Sequence, residues 1–302
     1  MNGDDFILPF ALEGQPVRGR LVRLGPLVDE ILGRHAYPRP VAGLLGELLT
    51  LAALLGDALK FDGIFSLQTK GEGPVRLMVA DKTSAGDLRA YAQFDADALR
   101  RLEGETGTPS LPRLTGPGYL AFTVDQGPDT DRYQGIVELN GETLVDCIQH
   151  YFRQSEQIRT AIVFADATDG DGRRRTSAIM LQRMPAPADA GRAPEDDIDD
   201  EHWRRACLLL STVTRQELND RSLPPNDLLY RLFHEEGVRV FERRALQEKC
   251  RCSRSRVERT LAQLPHDELI ELIENDRLTV SCEFCNRSYG FDRNEIDRLC
   301  AA

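Results

Sequence analysis

Leu44–Lys60 reads LLGELLTLAALLGDALK, and Phe61–Thr69 reads FDGIFSLQT. The first run repeats its apolar residues at helical spacing and is too long for a strand, so it predicts a buried helix. The second alternates and stops at Lys70-Gly71-Glu72-Gly73-Pro74, a strong turn signal, so it predicts a strand. A long apolar helix feeding directly into an alternating segment implies a helix packed on a sheet.

Working outward, Val17–Leu24 reads as an opening strand. Val75–Ala80, Leu88–Phe94, Tyr119–Val124 and Tyr133–Leu139 read as short strands with turn residues between them. Thr143 starts a helix expected to run to about Ser155, with Glu142 near its positive end. Thr160–Ala165 and Ser177–Gln182 close the series, joined by Asp166–Arg175. Turns rather than helices separate most of these strands, which predicts antiparallel pairing. Residues 1–185 are therefore expected to form an N-terminal α/β sheet domain.

At Pro185 the composition shifts to Pro, Ala, Gly and Asp, and from Asp189 to Glu201 seven acids face one base. Residues 186–237 read as an acidic, helical, metastable linker, with helices over about Asp200–Thr214 and from Pro224-Pro225 to about Glu236. Short helices of this kind are stable mainly through an apolar face packed on something else. Residues 238–302 read as a small C-terminal module with few large apolar residues, a size that usually needs a staple. The fold class is α+β: sheet domain, helical linker, and a zinc-binding module.

The staple is legible. Cys250-Arg251-Cys252 and Cys282-Glu283-Phe284-Cys285 are separated by the 29 residues Ser253–Ser281. Zinc takes four ligands in a tetrahedron, and structural sites use closed sets of four thiolates. Cys250, Cys252, Cys282 and Cys285 are therefore the candidate ligands of one zinc ion. Ser253 or Ser255 is expected to cap a helix carrying Val257 and Leu261; His266–Ile273 is expected to form another, packed over the site. A static zinc ribbon satisfies this pattern. Two features favour a switch: each close cysteine pair can form a disulfide by local movement, and Arg243–Arg259 holds seven bases and two acids, which favours the oxidisable thiolate.

The chain has 302 residues, 41% hydrophobic and 29% charged, with 49 acids against 38 bases and a formal charge of −11. That balance argues against non-specific nucleic-acid binding, which rests on Lys and Arg displacing counterions. Met1–Phe10 lacks a signal-peptide pattern, and Leu44–Leu59, interrupted by Gly46, Glu47, Gly56 and Asp57, reads as too short and too polar to span a bilayer. The expected compartment is the cytoplasm, where thiols stay reduced. No membrane partner is expected.

At the cysteines the chain resembles the heat shock protein 33 family of redox-regulated chaperones. The likeness runs through Cys250-Arg-Cys252-Ser253, Arg256-Val257-Glu258-Arg259, Asp267-Glu268-Leu269, Cys282-Glu283-Phe284-Cys285 and Tyr289-Gly-Phe291-Asp292. Thr123–Gly127, Tyr133–Leu139, Tyr151–Gln157 and Leu181–Pro185 carry it through the N-terminal part. Ser177-Ala178 stands where the family pattern has glycines. The resemblance implies a zinc-bound, inactive reduced state. It implies that oxidation converts Cys250–Cys252 and Cys282–Cys285 to redox-active disulfides, zinc leaves, the module unfolds and the linker helices lose support. Apolar surface then holds unfolded client proteins without ATP, and the active form is a homodimer.

The other cysteines lack partners in spacing: Cys147 and Cys207 read as small buried hydrophobes, and Cys300 as free. Asp166–Gly172 hints at a calcium loop, but Ala167 and Ala178 occupy its first and twelfth positions, so it reads as a hairpin turn. The histidines show no metal or triad spacing, and the protein is not expected to be an enzyme. The rivals are a thiol–disulfide oxidoreductase using Cys282–Cys285, and a zinc module binding nucleic acid through the basic run.

Overall fold

The computed structural model describes residues 3–103, 109–127, 130–156, 158–184 and 196–300. The Pro-, Ala- and Asp-rich start of the linker, residues 185–195, and Gln157 lie outside the described residues. The chain divides into two compact units, Met1–Glu248 and Lys249–Ala302.

Among the described residues the larger unit carries twelve strands: β1 (Phe6–Leu12), β2 (Val17–Leu24), β3 (Ile64–Gly71), β4 (Val75–Thr83), β5 (Asp87–Phe94), β6 (Gly118–Asp125), β7 (Tyr133–Glu138), β8 (Thr160–Thr168), β9 (Arg174–Arg183), β10 (Val238–Val240), β11 (Arg244–Ala245) and β12 (Gln247–Glu248). One sheet runs β10-β1-β2-β9-β8, with β11 also on β1; the other runs β12-β5-β4-β3-β6-β7. Every pairing in the two sheets is antiparallel, as expected, except the two-residue ladder of β12 on β5.

The predicted buried helix spans Arg39–Ala58, with Pro40 at its start. It packs against strands of both sheets, and Leu45, Leu48, Leu49 and Leu51 are fully buried. The helix is longer and more apolar than the sequence expectation allowed, and by length and composition alone it would suffice for a membrane span, but 83% of its apolar window is buried inside the protein. A helix apolar all round is what a central layer requires.

The Asp196–Ser211, Arg215–Asn219 and Pro225–Phe233 helices cover the other face of the first sheet. Ala206, Leu210, Leu229 and Phe233 pack there with Phe10, Leu21, Ile179 and Leu181. Covered on both sides, β9 is buried along nearly its whole length. Gly19, opposite Phe10 in the ladder, lets the Phe10 ring lie flat: a Cβ there would sit 2.1 Å from Phe10 Cζ. That ring stacks on Phe233 at 5.7 Å.

The sequence reading starts the third region at residue 238. The contacts place Val238–Glu248 with the larger unit, because β10, β11 and β12 are ladder partners of β1 and β5. The smaller unit holds helices Arg254–Leu261, His266–Glu271 and Arg293–Cys300 and a hairpin of β13 (Arg277–Ser281) with β14 (Ser288–Asp292).

Candidate metal centre

Cys250 and Cys252 lie just before the Arg254–Leu261 helix, whose N-cap is Ser253; its hydroxyl accepts from Arg256 N. Cys282 and Cys285 sit in the turn that joins β13 to β14. There Asn286 N donates to Cys282 O at 2.8 Å, and Cys282 N donates to Arg287 O at 2.9 Å. Asn286 takes a left-handed φ of 56°, a conformation asparagine tolerates better than most residues. The turn aims the backbone amides of Phe284 and Cys285 at the Cys282 sulfur and that of Arg287 at Cys285.

The four sulfurs lie within 4.8 Å of one another, and among the described residues this is the one group of Cys, His, Asp and Glu gathered closely enough to hold a metal ion. Cys250 Sγ is 3.7 Å from Cys282 Sγ, and Cys252 Sγ is 3.3 Å from Cys285 Sγ. A zinc–sulfur bond of about 2.3 Å implies a tetrahedral edge of roughly 3.8 Å. The donor set and its spacing therefore fit a closed four-thiolate site. His266 is not part of it: its Nε2 lies 2.8 Å from Asp297 Oδ1.

The thiols are not equivalent. Burial raises Cys252, but the hydrogen bond from Tyr289 and those from the other sulfurs outweigh it and bring Cys252 down to about 7. Tyr289 OH donates to Cys252 Sγ at 3.1 Å. Burial pushes Cys285 up to about 12 and Cys282 upward as well, against the pull of the turn amides. Four thiolates this close repel one another, and a divalent cation removes that repulsion.

Tyr289 and Arg287 are the residues that site reasoning from sequence left out. Arg287 interacts electrostatically with Cys252 and Cys285. Three bases of the run singled out in the sequence are engaged away from the sulfurs. Arg243 stacks on Phe6, and Arg244 pairs with Asp57. Arg254 pairs with Glu258 and Glu295 and lies over the Phe291 ring. The spacing Cys285-x-Arg287-x-Tyr289 carries a signal only once β14 is known to fold back on the site.

Cys147 and Cys300 follow the sequence reading, and Cys207 is less buried than that reading expects. Cys147 is fully buried and Cys207 half-buried, and burial raises each thiol to about 11. Cys300 is exposed. Asp169 Oδ1 accepts from Asp171 N and Arg173 N, closing the β8–β9 hairpin turn.

A sheet-and-helix unit followed by a small four-thiolate module is the class of protein that fold and site define. Comparison with known proteins specifies it further. The family described as Hsp33 protein matches residues 5–292. The 33 kDa chaperonin of Caulobacter vibrioides is 41% identical over 293 residues, 96% of this chain and 95% of that one. That of Pseudomonas fluorescens is 37% identical over 299 residues, 98% and 94% of the two chains. The chain belongs to the Hsp33 family, and the name its relatives share supports a chaperone role. The crystal structure of the 33 kDa chaperonin (heat shock protein 33 homolog) of Thermotoga maritima has the same fold, with a TM-score of 0.81 at 24% identity over 98% of both chains.

Proposed function

We propose that this protein is a redox-regulated, ATP-independent holdase chaperone of the cytoplasm, which binds unfolding proteins under oxidative stress and is not an enzyme. The observation that carries this reading is the gathering of Cys250, Cys252, Cys282 and Cys285 within 4.8 Å in a unit with little apolar core of its own.

Zinc, when bound, supplies the positive charge that holds four thiolates together and closes the module. The four cysteines bind it through sulfur, and Tyr289 and the turn amides steady the sulfur charge. Peroxide then oxidises each close pair, Cys250 with Cys252 and Cys282 with Cys285. Each pair of thiolates gives up two electrons and an S–S bond forms, while hydrogen peroxide accepts those electrons, takes two protons from solvent and leaves as two waters. Sulfurs drawn to about 2.05 Å and stripped of negative charge no longer form a tetrahedral cage. The module unfolds, and β10–β12, which connect it to the helical cover, loosen in turn. Release of that cover uncovers Phe10, Leu21, Ile179 and Leu181, an apolar face suited to holding unfolding chains. The active form pairs with a second copy, and the charge of −11 keeps it soluble.

The test is aggregation of a chemically unfolded client with the protein zinc-loaded and reduced, or peroxide-oxidised, with zinc release followed in parallel. Suppression that appears only after zinc release supports the switch. Equal suppression in both states makes the metal purely structural, and turnover of a dithiol substrate makes the protein an oxidoreductase.

A further inference from the structure

A second cluster of charge gathers where the Arg39–Ala58 helix ends. Asp57, almost fully buried, is held from two sides: Arg20 Nε at 3.0 Å from one oxygen and Arg244 Nη1 at 2.7 Å from the other. Lys82 on β4 lies beside them, 4% exposed. Its stem passes over Gly56, where a Cβ would come within 3.0 Å of Lys82 Cδ, so the glycine makes room for it. The Lys82 ammonium has no carboxylate within ion-pair distance among the described residues. Its contacts are a long hydrogen bond to Thr83 O at 3.4 Å and the Phe61 ring, 5.9 Å away. A buried ammonium satisfied this weakly is costly unless an anion completes it.

Lys82, Asp57 and Arg244 line one cleft of about 590 Å³, whose apolar wall includes Leu59, Phe61 and Leu246. The charged residues that line the cleft are three cations, Lys60, Lys82 and Arg244, and one carboxylate, Asp57. Behind the lining residue Ser84, the Asp62 carboxylate accepts from Ser84 Oγ at 3.0 Å. The surplus is two positive charges in a protein whose overall charge is −11. A carboxylate ligand would neutralise half of it; a phosphate, close to a dianion at neutral pH, matches it and offers enough oxygens to reach both Lys82 and Arg244.

We propose that this cleft binds a phosphate-class dianion, inorganic phosphate or a phosphate monoester, between Lys82 and Arg244. Lys82 supplies the buried charge, Arg244 closes over the anion while keeping its bond to Asp57, and the wall of Leu59, Phe61 and Leu246 accepts an apolar ester group. Such an anion ties β4 to β11, the strand six residues ahead of Cys250, so it acts as a ligand of the folded larger unit. The binding claim does not depend on the redox reading.

Calorimetric titration of the full-length, reduced, zinc-loaded protein with inorganic phosphate and with phenyl phosphate tests it. Saturable binding that sulfate competes with and chloride at equal ionic strength does not is the expected result. Tighter binding of phenyl phosphate identifies a monoester site, and equal binding identifies phosphate itself. Lys82→Met is expected to weaken binding at least tenfold. Arg244→Gln, on an exposed side chain that leaves Arg20 on Asp57, is expected to weaken it severalfold with the fold intact by circular dichroism. Absence of saturable binding, or binding unchanged in Arg244→Gln, overturns the proposal.

Discussion

In the Met1–Glu248 unit, one apolar helix lies between two six-stranded sheets, and a second apolar cluster fills the space between sheet and helical cover. In the Lys249–Ala302 unit, the buried apolar side chains among the described residues are Leu261, Leu269, Leu278, Phe291 and Ile296. The first has area enough to fold by the hydrophobic effect alone. The second does not, since burying one large side chain contributes about 1.5–3 kcal/mol against an ordering cost of roughly 1.5 kcal/mol for each residue fixed. On the proposed function, stability in this chain comes from two separable sources, and the one based on sulfur chemistry is the one an oxidant would remove.

The largest expected effect tests that separation directly. Chelation of zinc, or Cys282→Ser, should unfold the smaller unit completely, because binding in comparable thiolate sites is worth about 10–16 kcal/mol. Amide resonances of residues 249–300 should collapse to unfolded positions while those of the Arg39–Ala58 helix stay in place. Loss of both sets together would show that the two sources are not separable.

Leu48→Ala approaches the comparison from the other side. Leu48 is fully buried in the central helix, and such truncations cost about 2–5 kcal/mol. The urea midpoint of the larger unit should fall accordingly, with zinc affinity unchanged.

A pH effect should also be confined to the larger unit. Burial lifts Glu47 from 4.5 to about 7, despite the hydrogen bond it accepts from Val145 N at 3.1 Å. The folded state thus holds this proton more tightly than the unfolded state. The stabilisation is fully present below about pH 4.5 and lost as pH rises through about 7, an effect of roughly 3 kcal/mol. Glu47→Gln keeps an acceptor for Val145 N and cannot titrate. The stability difference between the variant and the parent should therefore change between those pH values, measured as urea midpoints; a constant difference would remove Glu47 as the cause.

The smallest effect sits in the helical cover. Thr214 and Glu217 form a capping box at the start of Arg215–Asn219. Thr214→Ala should cost about 1 kcal/mol, seen as faster amide exchange in residues 215–219 with the metal site unaffected.

The strands of the second sheet and the central helix are legible because alternation and helical spacing are local properties of the chain. Thr143 and Ser253 are legible as caps for the same reason. β1 escapes, although Phe6–Leu12 is apolar, because Pro9 interrupts the strand pattern; in the sheet Pro9 serves through its carbonyl, which accepts from Phe241 N at 2.9 Å. β11 and β12, Arg244-Ala245 and Gln247-Glu248, have no pattern to read, since two-residue strands exist only where a neighbour offers a ladder. Arg243, Arg244 and Arg254 of the basic run show the reverse case: a sequence shows that charges are near in chain order, not which groups they meet.

The sequence by itself determined the four-cysteine set, the helix-on-sheet core and the antiparallel character of the sheets, because residue type, spacing and period specify them locally. Tertiary structure alone decided that Val238–Glu248 belongs to the larger unit. It also decided that Tyr289 reaches Cys252, and that Arg20, Lys82 and Arg244 converge on Asp57. Those are contacts between residues distant in the chain, fixed by how sheets and helices pack rather than by any repeat along it.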